Sequence, residues 1–220
     1  MSKFTLALFC LLSLFNLQCG ASYWTYHLGN PPAHVGAPTI IPVWVDARFT
    51  PVQDQQIAAA IAEWNLVLNG WVKIVLMTHS EPGIDQHPHD YPTTFRTWEA
   101  GQTLQKSAEQ SGDGWVIYAA HQGDKMLDDT TPEMIAFVRG PGQHYIVIIT
   151  DRLGTKSLKN IVMHEMAHLL GAQHVSNPSL ESNYYDGRND CIDKITVAQV
   201  ASTLRIPLAQ LSYCVTPDFE

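Results

Sequence analysis

The sequence is short of charge, of basic charge above all, and of cysteine. Charged residues make up 15% of the 220, and 13 basic side chains stand against 21 acidic ones, for a formal charge of −8. No basic stripe is available to neutralise phosphates, which argues against nucleic acid as a partner. No apolar run reaches the roughly 20 residues that cross a bilayer; the longest, Phe4 to Phe15, stops well short. No internal repeat or low-complexity tract marks an array or a long linker. The low charge does not signal disorder, because 45% of the residues are hydrophobic, enough for one domain with an ample core.

The apolar run has a different use. Lys3 precedes it and the small-residue stretch Cys19-Gly20-Ala21-Ser22 follows it, the pattern of a secretory signal over residues 1–21 with cleavage near Ala21. A secreted monomer without a transmembrane segment is the expectation. A periplasmic protein, or one lipid-anchored through Cys19, is the alternative, and Asn16-Leu17-Gln18 fits a lipidation signal poorly. Removing the signal takes Cys10 and Cys19 with it. Cys191 and Cys214 remain, and an isolated pair in an oxidising compartment points to a disulfide. Closing that loop stabilises by about 3 kcal/mol in the chain-entropy model.

Residues 22–39 read as an extended arm, with Tyr23, Trp24 and Tyr26 as its anchors. One domain then fills 40–220. Ile40 to Asp46 reads as a strand. Ile57, Ile61, Trp64 and Leu68 recur at spacings of three and four, which predicts an amphipathic helix over 52–68, stopped by Asn69-Gly70. Trp71 to Met77 reads as a second strand, so the chain opens with a parallel βαβ unit. Trp115 to Ala120, Met134 to Val138 and Tyr145 to Thr150 read as three more strands, the last two joined by a turn at Gly140-Pro141-Gly142 and therefore antiparallel. A last helix is expected over 196–204. The stretch 78–114 carries little periodicity beyond a weakly helical piece from Trp98 to Gln110. Its His87 and His89 are candidates for a second zinc, and Asp124, Asp128 and Asp129 for Ca²⁺, although the ordered pattern of a calcium loop is missing.

The stretch with chemistry is HEMAHLLGAQH, His164 to His174. Four residues separate His164 from His168, which on a helix puts both imidazoles on one face, one turn apart. Gly171 can end the helix in a left-handed conformation, and the chain can then return His174 as a third ligand. Three nitrogens with a fourth position for water is the layout of a catalytic zinc rather than a structural one. Glu165, beside the first ligand, is the candidate general base. Requiring the glycine and the third histidine at their positions cuts chance matches to the shorter His-Glu pattern by roughly a thousandfold.

This motif resembles that of the metzincin zinc endopeptidases. The strand from Ile41 to Asp46, the helix carrying Ala60 to Asn65 and the order of five strands are most similar to the matrixin branch. The resemblance covers about residues 40 to 204. It implies an α/β (α+β) fold: a twisted five-stranded mixed sheet with one antiparallel edge strand, two main helices, and a small C-terminal subdomain with a helix. It also implies one catalytic zinc ion and an extended polypeptide substrate, paired by its backbone with Ala136, Phe137 and Val138 on the edge strand. Hydrolysis of peptide bonds by a zinc-activated water with Glu165 as base is the expected function. A catalytically degenerate zinc-binding module and a zinc hydrolase of a non-peptide amide are the alternatives.

Three features depart from the family pattern. No methionine follows Met166, whereas metzincins place a methionine turn beneath the zinc. The equivalent loop is read as Ser182-Asn183-Tyr184-Tyr185, with Asn183 or a neighbour at the methionine position and Tyr185 as a candidate transition-state stabiliser. No cysteine-bearing pro-segment is present to cap the zinc. The loop between His174 and the last helix is short.

Overall fold

The computed structural model describes residues 31–46, 48–77, 114–124, 127–138, 144–176, 179–183 and 190–214. The expected signal over residues 1–21, Tyr23, Trp24 and Tyr26, the His87/His89 stretch and Tyr184-Tyr185 lie outside these residues.

Five strands form one mixed sheet in the order β2-β1-β3-β5-β4. They are β1 (Thr39–Val45), β2 (Val72–Leu76), β3 (Trp115–Ala120), β4 (Ala136–Phe137) and β5 (Tyr145–Ile149). The expected βαβ unit is present: β1 pairs with β2 in parallel, Thr39 opposite Val72, across the helix α1 (Pro51–Val67). β3 and β5 continue the parallel run. β4 pairs antiparallel to β5, Ala136 opposite Ile148, and ends the sheet as the expected edge strand. It is shorter than the sequence suggests.

Helix α1 starts where its sequence dictates. Thr50 accepts from Gln53 N, Gln53 Oε1 accepts from Thr50 N, and Pro51 occupies the first turn, a full capping box. Asn69 and Gly70 take positive φ values of 47° and 83° and turn the chain into β2. The Asn65 amide then stitches helix to strand, donating to Ile74 O and accepting from Ile74 N, both at 2.8 Å.

Among the described residues two further α-helices follow, α2 (Leu158–Leu169), which carries His164 and His168, and α3 (Lys194–Leu204). Alternation along the strands splits the core into two faces. Val43, Ile117, Ile146 and Ile148 pack under Ile57, Ile61 and Trp64 of α1 and Ile161, Val162 and Met166 of α2. Trp44, Tyr118, Val147 and Ile149 face the other way, where Leu127 and Met134 cover them. Each fully buried side chain of this size contributes about 1.5–3 kcal/mol. One polar contact ties the helices in register: Trp64 Nε1 donates to Met163 O at 3.0 Å, one residue before the first histidine.

The Cys191–Cys214 disulfide is formed, with Cα atoms 6.1 Å apart. It joins the segment before α3 to the segment after it, and Ser212 N donates back to Val67 O at 3.0 Å. Of the arm, residues 31–38 are described, and His34 stacks on Trp71 with ring centroids 3.8 Å apart. Among the described residues no helix is long and apolar enough to cross a membrane.

Candidate metal centre

Helix α2 is built to present two imidazoles. Ser157 caps it, accepting from Asn160 N at 3.3 Å. Its buried face (Leu158, Ile161, Val162, Met166) locks it on the sheet, and His164 and His168 emerge on a half-buried side. The helix stops where Gly171 takes φ 98°. Gly171 N donates to His168 O and Ala172 N to Ala167 O, a Schellman-type closure. A Cβ at residue 171 would strike the Thr203 side chain. The turn therefore needs glycine on two grounds, and it brings His174 back over the helix.

The three imidazoles converge. Nε2 of His164 lies 3.1 Å from Nε2 of His168 and 3.2 Å from Nε2 of His174, and the last two are 3.1 Å apart. The other nitrogens of His164 and His168 say which tautomer those two rings hold. His164 Nδ1 is 2.6 Å from Leu180 O and His168 Nδ1 is 3.0 Å from Ala172 O. A carbonyl only accepts, so both Nδ1 atoms carry the hydrogen and both Nε2 atoms carry a lone pair. Burial holds His164 down to about pKa 4 and lowers His168 and His174 as well, so the rings are neutral.

Inward-facing lone pairs at this distance repel unless a cation lies between them. A tetrahedral zinc at about 2.0–2.1 Å from each imidazole nitrogen sets those nitrogens about 3.3 Å apart, close to what is seen. Among the described residues this is the one group of three or more His, Cys, Asp or Glu whose ligand atoms converge enough to hold a metal ion. Asp124 instead accepts from His121 N and pairs with Arg48, while Asp128 and Asp129 are exposed.

Two buried carboxylates accompany the rings. Glu165 is 5% exposed, its Oε2 has no hydrogen-bond partner among the described residues, and burial pushes its pKa up to about 8. Glu181 is fully buried, with Oε1 3.6 Å from His164 Nδ1 and Oε2 3.1 Å from His168 Nδ1. Burial, then the neighbouring Glu165 and Asp193, push its pKa up to about 9. These are the conditions a dication relieves, since a nearby positive charge stabilises both ionised forms.

The sequence puts Asn183 or a neighbour at the methionine position. Asn183 is exposed, and the side chain against the ligand rings is Glu181. In the sequence Glu181 stands in the polar run Ser179-Leu180-Glu181-Ser182, which reads as a solvated turn. Only the fold shows it buried.

The chain is thus a mixed α/β domain whose second helix and following turn present three metal-competent imidazoles. No family model matches its sequence, and no curated protein matches it. Among solved structures it is similar to archaemetzincin from Methanopyrus kandleri, with a TM-score of 0.49 and 14% identity over 78% of this chain and 98% of that one. It is also similar to metalloproteinase-II from Bacteroides fragilis, with a TM-score of 0.41 and 15% identity. That alignment covers 78% of this chain and about half, 54%, of the Bacteroides protein. The likenesses are too distant to carry function, which is argued below from the site.

Proposed function

We propose that this chain is a secreted zinc-dependent endopeptidase. The observation that carries the reading is the triangle of Nε2 atoms at 3.1–3.2 Å, with a buried carboxylate, Glu165, on the helix that carries two of the rings. His164, His168 and His174 would hold the metal. When bound, zinc lowers the pKa of a coordinated water and stabilises the oxyanion of the attacked carbonyl.

The chain's own groups do the rest. Glu165 accepts the proton of the attacking water and passes it to the leaving amine. Its burial makes it a stronger base than an exposed carboxylate once a cation has ionised it. Leu180 O and Ala172 O fix the ring tautomers, so Nε2 stays unprotonated. The edge strand β4 (Ala136–Phe137), with Val138 directly after it, is the segment along which an extended polypeptide would lie, and β4 packs against α2.

The test is incubation of the mature protein with an unfolded protein substrate, with and without a metal chelator, beside Glu165→Ala. Chelator-sensitive cleavage that Glu165→Ala lowers by orders of magnitude is the expected result. One equivalent of bound zinc with no cleavage of any peptide would make the domain a binding module. Near-wild-type cleavage by Glu165→Ala would remove Glu165 as the base.

A further inference from the structure

Glu181 is a buried group that peptide hydrolysis as written above does not use. Neither of its carboxylate oxygens has a hydrogen-bond partner among the described residues, and no lysine or arginine there pairs with it. Such a group is costly in a protein interior. The chain nevertheless fixes it firmly. Val175 N donates to Glu181 O at 3.0 Å, directly after the third histidine. Glu181 N donates to Ser179 Oγ, and Ser179 Oγ and Leu180 N donate to Asp193 Oδ2 at 2.8 and 2.7 Å. A costly carboxylate that four backbone and side-chain bonds hold against two ligand rings calls for a compensating charge.

We infer that Glu181 is a positioning residue of the zinc site, whose charge acts on the metal through the His164 and His168 rings. The inference rests on the zinc reading of the three histidines. Its carboxylate faces the Nδ1 side of both rings, while their Nε2 atoms face the metal position. Negative charge there makes each imidazole a stronger donor. Three neutral rings and a dication carry two positive charges, which Glu165 and Glu181 together cancel. With a neutral side chain at 181 one charge stays uncompensated in a buried site.

The experiment compares the full chain with Glu181→Gln and Glu181→Met. Zinc affinity is read by competition with a chromophoric chelator at neutral pH, and thermal midpoints are read with and without zinc. Zinc binding 10- to 100-fold weaker is expected in both variants, while their zinc-free midpoints stay level or rise because an uncompensated buried acid is gone. Affinity within twofold of wild type in Glu181→Gln would overturn the inference. Lower zinc-free midpoints in both variants would also overturn it, by making Glu181 a purely structural residue. The two readings fail separately. Weakened zinc binding in the variants of a wild type that cleaves nothing sinks the peptidase and leaves this inference standing. A wild type that takes up no zinc removes both.

Discussion

Asp193 is where the structure allows the sharpest calculation, because its two oxygens have different duties. Oδ1 caps α3, accepting from Ile195 N at 2.9 Å and Thr196 N at 3.1 Å. Oδ2 holds the turn beneath the histidines, accepting from Leu180 N at 2.7 Å, Ser179 Oγ at 2.8 Å and Thr196 Oγ1 at 3.0 Å. Asp193→Asn can keep one duty and not both. With its oxygen at the cap, its NH₂ faces the Leu180 N–H, donor against donor. The Ser179 and Thr196 hydroxyls lie 3.1 Å apart and can turn to each other, but a backbone N–H cannot turn. An orphaned buried donor costs about 1–3 kcal/mol, and losing a charge at the helix start adds about 0.3–1 kcal/mol. Flipping the amide only moves the conflict to the cap, worth about 1 kcal/mol. The expected loss is therefore about 1–4 kcal/mol in urea unfolding of the zinc-free protein, with weaker zinc binding because Leu180 O, 2.6 Å from His164 Nδ1, sits on the same turn. A variant within about 0.5 kcal/mol of wild type, a change typical of an unimportant surface site, would refute the two-duty account.

Other consequences can be checked on the same preparations. Replacing both Cys191 and Cys214 by Ser should cost about 3 kcal/mol of unfolding free energy, and a reductant should take the same amount from wild type and nothing more from the variant. Gly171→Ala forces a left-handed alanine, about 1–2 kcal/mol, against Thr203; lower stability and weaker zinc binding by titration are expected together, since the same turn returns His174. The zinc-free protein should lose stability in both pH directions. His164 drops from 6.5 to about 4, so the stability of its neutral folded form, full above 6.5, is lost as pH falls toward 4. Glu165 and Glu181 rise from 4.5 to about 8 and about 9, so their contribution, full below 4.5, is lost as pH climbs through those values. Chelator-treated protein melted across this range should show both losses, and zinc should abolish the alkaline one.

What the sequence showed and what it hid follow from how far each signal reaches. Strands β1, β3 and β5 and helix α1 were legible because a buried strand or an amphipathic helix repeats its signal over five to seventeen residues. The ligand triad was legible because helix geometry converts the spacing of His164 and His168 into proximity and Gly171 announces the return. The two-residue length of β4 was not, because so short a strand repeats no signal along the chain and its extent is set by its pairing with β5. Glu181 was hidden for a further reason. A turn residue has no periodic neighbours, and glutamate in a polar run is ordinarily solvated.

The hidden residue changes how the site is to be understood. A methionine beneath a metal site supports its ligands by packing alone, and its replacement by an exposed asparagine would have left the histidines loosely backed. The structure backs them with carbonyls at 2.6 and 3.0 Å and with a buried acid. Carbonyls hold the rings whether or not a metal is bound. The acid favours the site only when a cation is present and burdens it otherwise. On the zinc reading proposed above, folding and metal uptake would be coupled through Glu181: the acid whose charge would strengthen the loaded site is the one whose burial burdens the unloaded chain.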